Sequence, residues 1–254
     1  MGYADEVFDL TGKVVVVTGG SRGLGRQIAT AVARQGADVV IASRKREACE
    51  EAANDIKNET GRQTMAYGVH IGRWDELEPF VDAVYDRFGR VDVLFNNAGM
   101  SPVYDKLTDV SEKLFDSVVN LNFKGPFRLA ALIGERMHAA GRGSIINVSS
   151  SGSIRPKGNI VPYAGAKAAL NAMSEGLAEG LGPNVRVNTL MPGTFQTDVA
   201  KAWDLDAVTE DRKQHTALQR VGQPPEIIGA ALFLASDASS YTSATIIRVD
   251  GGMF

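Results

Sequence analysis

The sequence predicts an α/β fold in which helices cover both faces of a doubly wound, seven-stranded parallel sheet. Short runs rich in β-branched residues alternate with longer helical patterns along most of the 254 residues. These runs lack the alternation of apolar and polar residues that a half-exposed strand shows, so both sides of each strand are expected to be buried. Buried strands separated by helices are typical of one doubly wound domain, and we expect residues 1–254 to form it.

Seven runs qualify as strands, and the helices between them have recognisable ends. The first long helical pattern places Ile28, Ala31 and Val32 on one stripe and ends at Gly36, because glycine accepts the left-handed conformation that closes a helix. The last long helix begins at Pro224, because the first turn of a helix does not need the N–H that proline lacks. The predicted strands are KVVVVT (13–18), ADVVIAS (37–43), TMAYGV (64–69), VDVLFN (91–96), SIINVS (144–149), VRVNTL (185–190) and TIIRVD (245–250).

Composition restricts the class of protein and its partners. With 44% hydrophobic and 22% charged residues, the chain is typical of a globular protein. The net charge of −3 provides no basic surface for nucleic acid or an anionic membrane. Cys49 is the only cysteine, so we expect no disulfide and no metal site, and no apolar run approaches the roughly 20 residues of a membrane span. We therefore expect a cytoplasmic protein that binds small molecules.

Residues 194–223 form the least patterned segment of the chain. They are rich in charged residues and lie directly after a predicted strand. Such a segment is either a surface insertion or a lid over a binding site. Because ligands bind beyond the carboxyl ends of parallel strands, we favour a substrate lid.

A glycine-rich turn joins the first strand to the first long helix. In TGGSRGLG, the glycines suit a tight turn, a close approach of the backbone to a pyrophosphate, and close packing of the helix on the sheet. The N-terminus of the following helix favours the negative phosphates. We therefore favour a bound dinucleotide over a glycine-rich connection without a ligand. The residues available to the dinucleotide are Gly19, Ser21, Arg22, Gly23, Leu24 and Gly25.

The end of the second strand indicates which dinucleotide binds. A carboxylate at this position would bind the ribose 2′-hydroxyl of NAD and repel the 2′-phosphate of NADP. The sequence has Ser43 there, followed by Arg44, and Arg22 in the glycine-rich turn is able to approach the same phosphate. Guanidinium groups bind phosphate through paired hydrogen bonds, so we predict NADP. The alternative is that these cations only solvate the start of a helix.

The stretch PYAGAK places a tyrosine four residues before a lysine. On a helix, Tyr163 and Lys167 would therefore be neighbours on one face. An adjacent ammonium favours the phenolate, so we expect Lys167 to lower the pKa of Tyr163 towards the range useful for proton transfer. Without further context, an interfacial tyrosine beside a solvated lysine on an amphipathic helix is the commoner explanation of such a pair.

The motifs together resemble the short-chain dehydrogenase/reductase family in its compact single-domain branch. They are TGGSRGLG, NNAG at 96–99, Ser150 thirteen residues before Tyr163, and Lys167, within a match from Thr11 to Gly252. The resemblance implies a Rossmann-like fold, an NADP-binding site and a homo-oligomer, which we expect to be a tetramer. The catalytic set it implies is Asn122, Ser150, Tyr163 and Lys167. The further cofactor contacts it implies are Ile71, Asn97, Gly99, Gly193, Phe195 and Thr197.

The resemblance also implies a role for each catalytic residue. Ser150 would hydrogen-bond the substrate oxygen, although Ser149 remains an alternative because SSSG can also be aligned from it. Asn122 would hold a water that links Lys167 to solvent, and Lys167 would also bind the nicotinamide ribose. Two positions depart from the family pattern. His70 replaces the usual acid after the third strand, and we expect it to be structural, while Ala244 replaces a common glycine.

We therefore expect an NADP(H)-dependent oxidoreductase that transfers hydride between nicotinamide and a carbonyl or secondary alcohol carbon. The substrate would be a 3-oxoacyl thioester or another ketone. Arg155 and Lys157 lie between Ser150 and Tyr163, and they either contact a negatively charged substrate or belong to a solvated loop. The alternative function is a non-catalytic NADP-binding scaffold or sensor.

Overall fold

The computed structural model describes residues 2–197 and 205–254, and its strands form one parallel sheet. The strand order across the sheet is β3-β2-β1-β4-β5-β6-β7. Every predicted strand is confirmed, with each end within two residues of the expected position. The strands are β1 (Val14–Thr18), β2 (Asp38–Ser43), β3 (Thr64–Gly68), β4 (Val93–Asn96), β5 (Gly143–Val148), β6 (Val185–Pro192) and β7 (Ile246–Val249).

Helices cover both faces of this sheet, as predicted. Residues of α2, α3 and α9 pack into one hydrophobic cluster, and residues of α4, α6 and α7 pack into the other. Within the described ranges, no helix combines the length and apolar character that crossing a membrane requires. The helices are α1 (Tyr3–Phe8), α2 (Gly23–Arg34), α3 (Arg46–Thr60), α4 (Trp74–Phe88), α5 (Glu112–Val119), α6 (Gly125–Ala139), α7 (Val161–Gly180), α8 (Leu205–His215) and α9 (Ile228–Ala235).

The first strand shows why the strands carry continuous apolar runs. Val15 and Val17 pack into the cluster with α2 and α3, while Val14 and Val16 pack into the cluster with α4 and α6. Burying one such side chain stabilises the fold by roughly 1.5–3 kcal/mol. Because each of the strands β1 to β6 contributes to both clusters, the sheet forms a firmly packed base for the segments at its carboxyl edge.

The ends of two helices test the sequence predictions. Gly36 follows α2 with a φ of +97°, and a side chain there would overlap the Thr11 hydroxyl, so the predicted end is confirmed. The helix expected from Pro224 instead begins as a 3₁₀ turn at Pro224–Ile227, and α9 starts at Ile228. Two successive prolines provide no N–H for the first turn, which is compatible with this tighter start.

The turn before β7 keeps a left-handed residue although the sequence has alanine there. Ala244 has a φ of +57°, and its N–H donates to the Val187 carbonyl at 2.8 Å. This conformation costs a non-glycine residue roughly 1–2 kcal/mol. The alanine therefore leaves the turn in place and adds strain to it.

Candidate active site

The motifs identified in the sequence meet at the carboxyl edge of the sheet. The glycine-rich turn follows β1, NNAG ends β4 and continues beyond it, Ser150 follows β5, and residues 193–197 follow β6. The strand order reverses between β1 and β4, where connections leave the sheet in opposite directions. Doubly wound sheets bind ligands at this position.

The glycine-rich turn has the shape that a dinucleotide requires. Gly19 and Gly23 have φ values of +65° and +56°, which other residues rarely adopt. A Cβ on Gly25 would overlap the Gly19 carbonyl oxygen and the side chain of Asn97. No side chain caps the N-terminus of α2, so its first amides remain available to phosphate oxygens. The turn therefore fits a dinucleotide, while Leu24 packs against the core below it.

NNAG, at the end of β4, forms hydrogen bonds with the start of the glycine-rich turn. The side-chain amide of Asn97 donates to the carbonyls of Thr18 at 2.9 Å and Gly19 at 3.3 Å. A Cβ on Gly99 would lie 2.8 Å from Oδ1 of Asn122 and 3.6 Å from Nζ of Lys167. Asn97 is therefore a structural link in this state, and Gly99 allows two candidate catalytic side chains to approach the backbone.

The end of β2 carries a serine followed by an arginine at the position where an acidic side chain would favour NAD over NADP. The Ser43 hydroxyl lies 3.1 Å from the hydroxyl of Ser21 and 3.0 Å from Sγ of Cys49. Arg22 and Arg44 are exposed, and neither forms an ion pair with any residue in the described ranges. Two unpaired guanidinium groups beside a neutral serine provide a site with the charge that a 2′-phosphate needs.

The turn after β3 uses His70 for structure. Nδ1 of His70 accepts a hydrogen bond from the Gly72 N–H at 3.1 Å, and the His70 N–H donates to Glu76 at 2.8 Å. Ile71 is buried, with 2% of its surface exposed. These contacts agree with the structural role expected for His70, and they leave the backbone of Ile71 as the group that could contact a cofactor.

Helix α7 carries Tyr163 and Lys167 on one face. Lys167 is only 3% exposed, and its Nζ donates to the Val148 carbonyl at 2.7 Å. Nζ lies 5.9 Å from the centre of the Tyr163 ring. The lysine thus connects α7 to the end of β5 and remains within reach of the tyrosine.

The expectation that Lys167 lowers the pKa of Tyr163 is wrong for this structure. Burial raises the pKa of the Tyr163 phenol, and the hydrogen bond with the Ser150 side chain lowers it by a smaller amount. Burial also lowers the pKa of Lys167 from 10.5 to about 7. A lysine that is neutral above pH 7 provides little charge to stabilise a phenolate, so desolvation outweighs the attraction that spacing alone suggested.

The three adjacent serines occupy different environments. Ser149 is 3% exposed, and its hydroxyl donates to the Lys167 carbonyl at 3.3 Å. Ser150 is half-buried, its hydroxyl accepts from the Gly152 N–H at 3.1 Å, and it lies close enough to Tyr163 to lower the pKa of the phenol. Ser151 is buried. The geometry therefore favours Ser150 over Ser149 as the serine that acts beside the tyrosine.

Asn122 lies in a π-helical turn that the sequence analysis did not predict. This turn, Asn120–Lys124, joins α5 to α6, and the Gly125 N–H bonds to the Asn120 carbonyl five residues earlier. Pro126 cannot donate to the Asn122 carbonyl, which the KGP stretch of the sequence could have indicated. The Asn122 side-chain amide donates to Met100 and Val118, both at 2.9 Å. The expected water contact therefore cannot use these amide protons.

The segment after β6 borders the glycine-rich turn. A Cβ on Gly193 would lie 2.7 Å from Cα of Asp250, and Phe195 is 6% exposed. Thr197 approaches Gly23, where an added Cβ would be 3.7 Å from the threonine Cβ. These three predicted cofactor contacts therefore lie on the side of the site where β6 ends.

The ends of the expected lid are held together. The Gln196 N–H donates to the Gly222 carbonyl at 2.9 Å, and the Gly222 N–H donates to the Thr194 carbonyl at 3.0 Å. Residues 198–204 of the expected lid lie outside the described residues. In α8, Asp211 forms an ion pair with Lys157 at 3.4 Å, whereas Arg155 has no ion pair among the residues described.

The start of α7 is held by a tyrosine from a distant loop, which was not predicted from the sequence. Tyr104 lies in the loop after NNAG, and its hydroxyl accepts a hydrogen bond from the Val161 N–H at 2.8 Å. It satisfies a first-turn amide of the helix that carries Tyr163 and Lys167. The two residues are 57 positions apart, so no local pattern signals the contact.

Comparison with known proteins gives consistent matches over nearly the whole chain. A family model described as enoyl-(acyl carrier protein) reductase matches residues 18–254. The chain is 38% identical over 245 residues to 3-oxoacyl-[acyl-carrier-protein] reductase from Chlamydia trachomatis serovar D, covering 96% of this chain and 98% of that protein. It is 34% identical over 249 residues to NAD-dependent glycerol dehydrogenase from Listeria innocua serovar 6a, covering 98% and 96%. The structure of gluconate 5-dehydrogenase from Burkholderia cenocepacia with NADP and tartrate superposes with a TM-score of 0.93 at 30% identity, covering 98% of each chain.

Proposed function

Because this chain belongs to the short-chain dehydrogenase/reductase family, enzymes that act on alcohol and carbonyl groups with a nicotinamide cofactor, we propose that it reduces a ketone with NADPH. The observation that carries the proposal is the arrangement of Ser150, Tyr163 and Lys167 at the carboxyl edge of the sheet. Ser150 lies close enough to Tyr163 to lower the pKa of its phenol, and Nζ of the buried Lys167 lies 5.9 Å from the centre of the tyrosine ring. This combination supports catalysis better than it supports a scaffold that only binds NADP.

In the proposed reaction, the protein positions the ketone and supplies a proton. When bound, the nicotinamide supplies the hydride that adds to the carbonyl carbon. Ser150 hydrogen-bonds the carbonyl oxygen as negative charge develops on it. Tyr163 transfers its phenolic proton to this oxygen, which completes the alcohol. Because burial raises the pKa of Tyr163, the phenol is protonated at neutral pH, which is the form that reduction uses.

Lys167 and Asn122 would restore the proton to Tyr163. The pKa of about 7 for Lys167 lets its amine gain and lose a proton near neutrality. The Asn122 amide protons are already bonded to Met100 and Val118. We therefore assign the water contact to the Asn122 backbone carbonyl, to which Pro126 offers no N–H. Lys167 would also hold the nicotinamide ribose hydroxyls.

The test of catalysis is NADPH consumption across 3-oxoacyl thioesters, diketones, keto sugars and cyclic ketones. Similarity to a 3-oxoacyl-[acyl-carrier-protein] reductase makes the thioesters the first class to measure. We expect turnover that Tyr163→Phe abolishes, while NADPH binding persists. Tight NADPH binding without turnover of any ketone would instead support the scaffold or sensor.

The preference for NADP rests on Ser43, Arg22 and Arg44. We expect kcat/KM to be at least about tenfold higher with NADPH than with NADH, because two guanidinium groups would pair with the 2′-phosphate. Ser43→Asp should reduce this ratio by introducing repulsion. Arg46→Ala is the matched control, because Arg46 already pairs with Glu50 at 2.9 Å. Comparable kcat/KM for both cofactors in the wild type would contradict the assignment.

The charges of the loop after Ser150 favour a substrate without a carboxylate over a substrate whose carboxylate binds Lys157. Lys157 pairs with Asp211 of α8, whereas Arg155 of the same loop pairs with none of the residues that the structure describes. We propose that residues 194–223 are the substrate lid and that the Lys157–Asp211 pair connects it to the loop after Ser150. Lys157→Met should then raise KM for the ketone, whereas direct recognition of substrate by Arg155 would make Arg155→Ala the stronger variant.

We also propose that residues 1–254 form one domain and assemble as a cytoplasmic homotetramer. Ala168, Ala172 and Gly176 are exposed on α7, where small side chains allow a second helix to approach closely. Cys49 is free and buried, which suits a reducing compartment. Sedimentation of the purified protein at micromolar concentration tests the assembly, and a monomer would contradict it.

A further inference from the structure

The turn that carries Ser150 is attached to α7 by two side chains outside the proposed catalytic set. The Ser153 hydroxyl donates to the Ser150 carbonyl at 2.7 Å. The same hydroxyl lies 3.0 Å from Nδ2 of Asn171, which donates to it. We propose that Ser153 and Asn171 are positioning residues that set the place of Ser150 relative to Tyr163, an inference that rests on the proposed function.

The hydrogen bonds around this turn determine both the backbone and the side chain of Ser150. The Ser150 carbonyl accepts from the Ser153 N–H at 2.9 Å as well as from the Ser153 hydroxyl. The Ser150 hydroxyl accepts from the Gly152 N–H at 3.1 Å. Because Ser153 donates its only hydroxyl proton to Ser150, its oxygen must accept from Asn171. The chain of donors therefore runs in one direction, from α7 to Ser150.

Asn171 belongs to the same helix face as the proposed catalytic residues. Tyr163, Lys167 and Asn171 are four residues apart, so they follow one another along this face over about 12 Å of α7. A Cβ on Gly152 would lie 3.3 Å from Oγ of Ser150 and 3.7 Å from Cε1 of Tyr163, so the turn packs against both side chains. A shift of Ser153 would therefore change the distance between Ser150 and Tyr163.

Asn171 is costly for the fold, which supports a role beyond stability. It is 9% exposed, and its Oδ1 is buried without a hydrogen-bond partner among the described residues. A buried amide with an unpaired oxygen destabilises a protein relative to an apolar side chain of similar shape. The side chain of Asn171 nevertheless donates a hydrogen bond to the Ser153 hydroxyl, and we infer that this contact is its role.

The test combines Ser153→Ala with Ser150→Ala, because a residue that acts through Ser150 has nothing to position once the Ser150 hydroxyl is absent. With the best ketone of the panel, we expect Ser153→Ala to lower kcat about tenfold with little change in KM, as expected for misplaced reacting groups. In the Ser150→Ala background, the same change should lower kcat no further. Ser153→Thr retains the hydroxyl and should restore kcat.

Asn171→Asp and Ser174→Ala complete the comparison. A carboxylate at position 171 would accept the Ser153 proton instead of donating to the hydroxyl, so this variant should lower kcat as Ser153→Ala does. Ser174 is a buried hydroxyl of the same helix that accepts from Asn147 at 2.9 Å and donates to Leu170 at 2.8 Å. Ser174→Ala also leaves one asparagine amide unpaired, so it should lower the melting temperature without changing kcat.

Two kinetic results would overturn the inference. In the first, Ser153→Ala lowers kcat by the same factor with and without the Ser150 hydroxyl. In the second, Ser174→Ala lowers kcat as much as Ser153→Ala does. A wild-type kcat for Ser150→Ala would instead refute the proposed function. Crystal structures provide a readout without turnover: we expect Ser150 to be displaced in Ser153→Ala, and an unmoved Ser150 would also overturn the inference.

Discussion

The lowered pKa of Lys167 predicts how stability depends on pH. In the unfolded chain this lysine binds its proton up to a pH near 10.5, whereas in the folded protein it releases the proton near 7. Between these values, the unfolded state binds one more proton than the folded state. Stability must therefore rise with pH through this window, and it is lowest where the ammonium has to be buried.

The size of the effect follows from the same two pKa values. Between pH 7.5 and 9.5, they predict a gain of about 2.5 kcal/mol in the free energy of unfolding. Cys49 acts in the opposite direction, because burial raises the pKa of its thiol and the unfolded thiol ionises first. The quantity to compare is therefore the difference between the wild type and Lys167→Met, in which the contribution of Cys49 cancels.

Urea unfolding at one protein concentration measures this difference. From pH 7.5 to 9.5, the wild type should gain stability relative to Lys167→Met. If the free energy of unfolding falls by about 3 kcal/mol per molar urea, the difference between their urea midpoints should grow by about 0.8 M. Lys45→Met is the control, because Lys45 is exposed and its removal should leave the pH dependence unchanged. Parallel stability curves for the wild type and Lys167→Met would refute the reasoning.

Three further substitutions test features of the site and the fold. Gly25→Ala places a Cβ against the Gly19 carbonyl, so it should lower stability by about 1–3 kcal/mol and weaken NADPH binding, and a normal fluorescence titration with NADPH would contradict this. Tyr104→Phe removes the acceptor of the Val161 N–H and should lower the free energy of unfolding in urea by about 1 kcal/mol, whereas an unchanged value would mean that water replaces the hydroxyl. Ala244→Gly removes the strain at a φ of +57° but adds entropy to the unfolded chain, so we expect a net gain of about 0.5 kcal/mol in a calorimetric scan, and a loss would contradict the strain.

The strands and the glycine-rich turn could be predicted because their signals are local. Val14 to Val17 form an unbroken apolar run, and a strand buried on both faces requires such a run. Gly19 and Gly25 occur where the backbone bends or another backbone approaches closely, which only glycine tolerates there. The roles of the proposed catalytic residues stay predictions, although the structure brings Ser150, Tyr163 and Lys167 together.

The electrostatics of the site could not be predicted from spacing. The interval between Tyr163 and Lys167 indicates that they are neighbours, but their pKa values depend on burial, which residues from distant segments create. Lys167 is buried under the turn at Gly99 and bonded to Val148, and neither contact has a sequence signature. The same limit applies to the contact of Tyr104 with Val161, 57 positions away, and to the contact of Ser153 with Asn171, 18 positions away.

The arrangement of the sheet has a consequence for how activity appears during refolding. The residues proposed to bind cofactor and substrate follow each of the strands β1 to β6 or lie on α7, so no single βαβ unit contains the whole proposed site. Parallel pairings between distant strands are slow to form, because chain entropy is lost before the contacts compensate for it. We therefore expect recovered NADPH-dependent turnover to lag behind recovered helical circular dichroism. Enzyme activity would then report the last pairing of the sheet, and a fragment that ends before β6 would regain none.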